Sequence, residues 1–324
     1  MRHAAKLALV AAVVAIAGTG TGTARADDYP SKPVKIVVAY QAGQGTDVAT
    51  RYIAEKLTAA TGQTFFVENR GGAGGNIGTE MVARAAADGY TLTMGTNGTH
   101  VLNQFMYAST GFNAETGFDP IVLLGTFPMV LLAQSASPFV SLQEVLAAAK
   151  AGPKTADIGI PSTTARLVFE FLKEKTGSPL FGVPYKGSTA VLTDVLGGQL
   201  PLMIDTVTAV RPQVDAGKLK ALAVTSAKRT SLLPNIPTVA EQGVPGFEVI
   251  AWNALYAPRG TPPAVIARLN TEVNKILAQP ETKARFLELG FDIGGGTPDD
   301  LGRFARAERA KWGPVIQKAG MRAD

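Results

Sequence analysis

Beyond residue 33 the chain alternates short apolar runs with segments whose apolar residues recur at helical spacing. VKIVVAY (34–40) reads as a strand. Residues 46–61 read as a helix, because Val48, Tyr52, Ile53 and Leu57 repeat near the 3.6-residue period. TFFVEN (64–69) is a second strand, and the glycine-rich stretch 71–78 leads into the helical TEMVARAAA. YTLTMGT (90–96) is a third strand, followed by helical HVLNQFMY. The same order continues through strands at 156–160, 181–185, 200–205 and 219–226 and helices at 163–176, 188–196 and 207–216. Ser141 and Glu144 form a Ser-x-x-Glu helix-start signature ahead of 141–151. In the last third, FEVIAWNALYAP (247–258) is a strand pattern, and two helices start at Thr261-Pro262-Pro263 and at Thr297-Pro298. Repeated strand–helix alternation predicts an α/β protein whose largely parallel sheets carry helices on both faces. Two long strand-like stretches, near 121–132 and 219–227, bracket about a hundred residues that have their own α/β pattern. That arrangement predicts an inserted domain crossed by two strands, with 27–126 plus 226–324 as one lobe, 127–225 as the other, and a cleft between them.

The first residues belong to a different class. Arg2 and Lys6 precede an unbroken apolar run, Leu7 to Ala17, and Ala24-Arg25-Ala26 fits a small-x-small cleavage site. Eleven residues at ~1.5 Å each fall short of a ~30 Å hydrocarbon layer, so the run reads as a cleaved export signal, residues 1–26, and not as an anchor. Removing its three basic residues lowers the formal charge from +5 to +2 and withdraws the argument for nucleic-acid binding. There is no cysteine, and the only histidine after the signal is His100. These two facts exclude thiol nucleophiles, Cys/His zinc sites and two-histidine metal motifs.

Strand-to-helix loops fall at 41–47, 69–78, 95–100, 159–164, 185–189 and 205–207. In open α/β sheets ligands bind beyond the carboxyl ends of the strands, and helix starts offer unpaired N–H groups to anions. The loop AYQAGQGTD resembles a dinucleotide turn only in part: Val48 stands where the third small residue of that fingerprint belongs, and Ile77 does the same after Gly72 and Gly74. No cofactor is expected. Gly43 and Gly45 are expected to bring backbone amides to an anion. Asp47 reads either as a helix-start cap or, together with Asp205, as part of a cation site. Asp205, at the end of a buried strand, is suited to holding a water or the protonated end of a ligand.

YPSKPVKIVVAYQAGQGTD, VENRGGAGGNIGTEMVARAAADGYTL, GTNGTH, VPYKGSTAVLTDVLGGQLPLMID, AGKLKALAVTSAKR, PTVAEQGVPGFEV and APRGTPPAVIARLN, in that order after a signal, resemble the Bug-type extracytoplasmic solute receptors of tripartite tricarboxylate transporters. The resemblance spans essentially the whole chain after the signal. It implies a two-lobed periplasmic-binding-protein fold, with two mixed or parallel-sheet domains joined by two crossover β-strands. It further implies a monomeric periplasmic receptor that grips a small carboxylate between the loops 41–47 and 160–166 and delivers it to membrane permease subunits. No chemistry and no nucleic acid is involved in such a role. A secreted enzyme using cleft carboxylates or His100, and a ligand sensor for a two-component system, are the alternatives.

The ligand-binding set this predicts is Tyr40, Gln41, Gly43, Gln44, Gly45, Thr46 and Asp47 from the first loop; Thr96, Asn97 and His100 from the third; Ser162, Thr163, Thr164 and Arg166; Lys186, Gly187 and Ser188; and Asp205. The sequence departs from the family pattern at Tyr40, Gln41 and Gln44, and at Arg166, which stands where a histidine is usual. Arg166 either meets a second carboxylate or is a solvated side chain on a first helical turn. Tyr40 either stacks on an aromatic acid or packs on the neighbouring helix. His100 either reaches the cleft or packs near its helix start.

Overall fold

A computed structural model describes residues 29–152 and 154–323. The expected export signal lies outside the described residues. The strands are β1 (Val34–Val38), β2 (Phe65–Asn69), β3 (Thr91–Thr96), β4 (Phe118–Gln134), β5 (Ile158–Ile160), β6 (Gly182–Pro184), β7 (Leu202–Thr206), β8 (Leu219–Val224), β9 (Ile250–Pro258) and β10 (Asp292–Gly295). The helices are α1 (Gly45–Thr61), α2 (Asn76–Ala83), α3 (Asn103–Met106), α4 (Leu142–Ala151), α5 (Thr163–Thr176), α6 (Ser188–Leu196), α7 (Val207–Asp215), α8 (Pro263–Ala278), α9 (Pro280–Glu288) and α10 (Pro298–Lys318). A tight 3-10 turn at 73–75 and a wider π-helical turn at 98–102 precede α2 and α3.

Strands lie in the order β2-β1-β3-β9-β4-β7-β5-β6, with β8 and β10 also pairing β4. β1 runs parallel to β2 and β3, and β5 parallel to β6 and β7, as strand–helix alternation requires. The antiparallel pairs all involve β4 or β9. β4 is one strand shared by two halves. Phe118–Pro128 pairs with β9 and carries β10, whereas Met129–Gln134 pairs with β7 and β8. Leu131 and Ala133 of β4 join the core that runs from β1 to α10, while Val130 and Leu132 join a second core under α6 and α7. Period-two alternation sends successive β4 side chains to opposite faces.

The first crossing therefore lies on β4, within the apolar stretch that predicts it. The return crossing lies elsewhere. β8 is taken up entirely by pairing with 130–134 of β4. After it, Val239 N donates to Val224 O (2.9 Å), and Gln242 Oε1 accepts from Leu142 N (2.8 Å) at the start of α4. The chain crosses back at Val249–Ile250, where β9 begins beside Pro128. Thr225 ties this point together. Its Oγ1 accepts from Met129 N (2.9 Å) and donates to Val249 O (2.6 Å), and its own amide donates to Met129 O (3.0 Å). A second link between the halves is aromatic: Phe171 of α5, itself packed on Phe247 (5.0 Å between centroids), sits edge to face on Trp312 of α10 (5.5 Å).

Helix starts follow the sequence signals. Thr297 and Asp300 form a closed capping box on α10. Ser141 accepts from Glu144 N (3.3 Å) on α4, but the Glu144 carboxylate reaches Val140 N (2.6 Å) instead of closing the box on Ser141. α9 and β10 go beyond the elements the pattern predicts.

Candidate functional site

The loop between β1 and α1 is built around Asp47. This carboxylate is 2% exposed and turns back from the helix start. Gly43 N (2.8 Å) and Arg51 Nε (3.0 Å) donate to its Oδ2, and Asn69 Nδ2 (2.8 Å) to its Oδ1. Burial by itself would raise its pKa, but the Arg51, Gly43 and Asn69 donors outweigh that and hold it below the usual carboxylate range. Gly43 sits at φ +84°, the left-handed region that suits glycine. Its amide is thus committed to Asp47 and is not offered to a ligand. Asp47 is a brace. Its charge is met by Arg51, so it forms no cation site with Asp205.

With Asp47 folded away, the α1 N-terminus stays open. Gln44 precedes it without a side-chain cap, and the first helical bond is Val48 N to Gln44 O (3.0 Å). The amides of Gly45, Thr46 and Asp47 lie before that bond. α6 is likewise uncapped: Gly187 precedes it, with Ser188 as its first residue. α5 and α7 are closed by their own hydroxyls, Ser162 to Ala165 N and Thr206 to Ala209 N, both 3.2 Å. The two open helix starts come from opposite halves, and Gly45 and Ser188 line the same small cavity of about 50 Å³.

The floor of this cavity is made by the crossing strands: Phe127 and Met129 of β4, and Ala251, Trp252 and Asn253 of β9. Thr46 Oγ1 donates to Asn253 Oδ1 (3.1 Å), which fixes the amide and leaves Nδ2 buried without a partner. Opposite in character is Asp205, 3% exposed at the end of β7. Thr206 N donates to its Oδ1 (2.7 Å), while Oδ2 has no partner. Burial pushes its pKa up to about 6, against the lowering effect of Ser188 and the Thr206 amide. The cavity therefore offers unpaired N–H donors beside one buried acceptor.

Tyr40 and Gln44 also face a second, larger cavity of about 710 Å³, lined on its far side by Arg166, Lys186, Tyr185, Tyr107 and Arg322. No aspartate or glutamate lines it. Arg166 Nε lies 2.8 Å from Glu170 Oε1 one turn along α5.

Of the predicted residues, Tyr40, Gln44, Gly45, Thr46, Thr96, Asn97, Ser162, Thr164, Ser188 and Asp205 line the small cavity. Gln41, Thr163, Arg166 and Lys186 line the large one. Gly187 lies just outside, where a Cβ would come within 2.9 Å of Gln44 Nε2 and 3.1 Å of Gln41 Oε1. This is a close approach of the two halves. Thr164 Oγ1 to Asn97 Oδ1 (3.1 Å) is another. Gly43 and Asp47 line neither cavity, for the reason given above. Nor does His100. Its ring is fully buried, stacked on Tyr256 (4.2 Å, 19°) and against Phe118 (4.8 Å), with Thr99 Oγ1 on Nδ1 (2.9 Å). Burial, aided by Arg309, lowers its pKa to about 3. The imidazole is a neutral core group and cannot serve a cleft as a base. Among the described residues no group of three or more acidic or histidine side chains could hold a metal, and no helix is long and apolar enough to cross a membrane.

The crossing-strand residues Phe127, Met129, Ala251, Trp252 and Asn253, and Tyr107, Tyr185 and Arg322, lie outside the predicted set. Asn253 left a signal: it is the lone amide in the apolar run FEVIAWNALYAP, and buried amides need partners.

Comparison with known proteins places this site in context. The family model described as the tripartite tricarboxylate transporter family receptor matches residues 49–321. The adipate-bound R. palustris Rpa4515 is 37% identical, with a TM-score of 0.88, over 91% of this chain and 99% of that one. The periplasmic binding protein BugD is 35% identical, with a TM-score of 0.85, over 91% and 99%. The malate-bound MatC of Rhodopseudomonas palustris is 30% identical, with a TM-score of 0.82, over 89% and 100%. All three share the two-domain α/β binding-protein fold described above.

Proposed function

The chain belongs to the tripartite tricarboxylate transporter receptor family, a family of solute receptors and not enzymes, and on that premise we propose that it holds a small carboxylate between its two lobes and delivers it to membrane permease subunits. One observation carries this reading. Two uncapped helix starts, α1 and α6, face one cavity from opposite halves, and a buried unpartnered amide, Asn253 Nδ2, stands beside them. Helix N-termini favour anions through their free N–H groups and their dipoles. A carboxylate there satisfies donors from both halves at once, so its binding favours the closed arrangement over an open one. Asp205 accepts from a water or from a donor on the ligand. Adipate and malate, bound by relatives, are both small dicarboxylates and guide the choice of ligands to test.

The same reading takes residues 1–26 as a signal cleaved after Ala26, and the receptor as a periplasmic monomer whose lobes divide at the two crossings, within β4 and at Val249–Ile250. Closure turns about the crossings on β4 and at the head of β9. A thermal-shift screen across aliphatic dicarboxylates, tricarboxylates, aromatic acids and amino acids tests it. An acid present at a hundred times its Kd adds ~2.7 kcal/mol to stability. A uniform absence of shift across all the acids refutes the reading.

A further inference from the structure

Tyr40, Gln44 and Ser162 are common to the small and large cavities, and of these Tyr40 is the largest. Its hydroxyl is bonded to Thr96 Oγ1 (2.8 Å), which also accepts from Thr99 N (3.2 Å). The hydroxyl end lies close against the chain beyond β3: a Cβ on Gly98 would come within 2.9 Å of Tyr40 Oη. The ring therefore stands as a fixed wall between the chambers. The chambers differ in kind. The inner one, about 50 Å³, has room for a few water-sized groups, each needing roughly 10–15 Å³. That accommodates a carboxylate and the carbon beside it. The outer one, about 710 Å³, carries Arg166, Lys186 and Arg322, the tyrosines Tyr107 and Tyr185, and no acidic side chain.

The geometry points to Tyr40 as the specificity-determining residue of this cleft: it admits to the α1 helix start only acids unbranched beside the anchored carboxylate, and it leaves the rest of the ligand, with a second anionic group, to the cationic outer chamber. The inference rests on the receptor reading above and narrows its ligand class to slender diacids. A ligand whose head fills more than the inner chamber clashes with a ring that cannot swing without losing the Thr96 bond. The second anion is met by the cations of the outer chamber, Arg166, Lys186 and Arg322.

Calorimetric titration of the signal-free chain tests this. The ligands are the tightest of the straight-chain diacids of four to eight carbons, the same diacid with paired methyls on both α-carbons, and the monoacid of equal length. The wild type prefers the straight diacid over the methylated one by about 30-fold or more, and over the monoacid by about tenfold or more. Tyr40→Ala brings the first ratio to about threefold or less and keeps the second. Tyr40→Leu, which retains apolar bulk for folding, moves the first ratio the same way. Tyr40→Phe keeps the ring but loses the Thr96 bond, and gives a first ratio between those of the wild type and Tyr40→Ala while keeping the second. An unchanged first ratio in Tyr40→Ala or Tyr40→Leu overturns the role of Tyr40 alone. A wild type that binds none of these acids overturns this inference together with the receptor reading.

Discussion

Asp205 and His100 are both fully enclosed, and their protons are displaced in opposite directions. Asp205 has a folded pKa of about 6, above the ~3.9 of an unfolded aspartate, so the folded chain holds the extra proton between those values. Its contribution is present below about pH 4 and is lost as pH rises through 6. Asp205→Asn is thus expected to stabilise the ligand-free protein at pH 7.5 by up to about 3 kcal/mol, with the gain vanishing near pH 4. Melts of the two proteins from pH 4 to 8 check this, and parallel curves refute it. His100 has a folded pKa of about 3, below the ~6.5 of a free imidazole. The stability tied to its neutral form is present above about pH 6.5 and is lost on acidification. Between pH 4 and 6 the two groups offset each other, so His100→Leu should melt higher as pH falls from 6 to 4 while the wild type changes little. Asn253 speaks to binding. Asn253→Ala removes the buried donor that a carboxylate would use and is expected to weaken acid binding by about 1–3 kcal/mol, read as Kd by calorimetry. An unaltered Kd places the carboxylate elsewhere.

At the level of elements, the strand–turn–helix of β1 and α1 was legible because its apolar spacing and glycines agree. What the loop does with them was only partly so. That Gly43 spends its amide on Asp47 depends on Asn69, which arrives from β2, and no local pattern reports that. Asp47→Ala releases Gly43, Arg51 and Asn69 together. It is expected to lower unfolding free energy by about 1–3 kcal/mol and to speed amide exchange across 40–47, measured by denaturation and hydrogen exchange. His100 follows β3 just where a cleft residue would, but Tyr256, brought alongside by the β3–β9 pairing, gives its ring a partner in the core. α9 and β10 escaped for different reasons. PETKARFLE buries little beyond Thr282 and Phe286, too few to mark a stripe. DIGG has no strand propensity and is a strand because β4 has an edge for it: a Cβ on Gly125 would come within 2.6 Å of Asp292 O. Asn253 and Trp252 lie in a strand buried on both faces, where alternation disappears and no residue advertises which side it faces.

Across the whole molecule, two crossings join the halves, and Thr225 stands at both. Thr225→Val keeps the shape but leaves Met129 N–H and Val249 C=O without their hydroxyl partner in a buried place, at a cost of about 1–3 kcal/mol for each. Chemical denaturation should show that loss, and ligand affinity should change with it, because the closed arrangement depends on the same junction. Stability loss with unchanged affinity separates the junction from closure. The halves also meet through aromatic rings. The chain has two tryptophans: Trp252 forms part of the inner cavity wall, and Trp312 sits edge-on to Phe171 where the lobes touch. The protein therefore carries its own optical reporters, one in the wall of the inner cavity and one at the seam. Trp312→Phe leaves emission from Trp252 alone, whose quenching or blue shift on titration would signal occupancy of the inner chamber directly, so that a search for the natural solute can proceed on unlabelled protein.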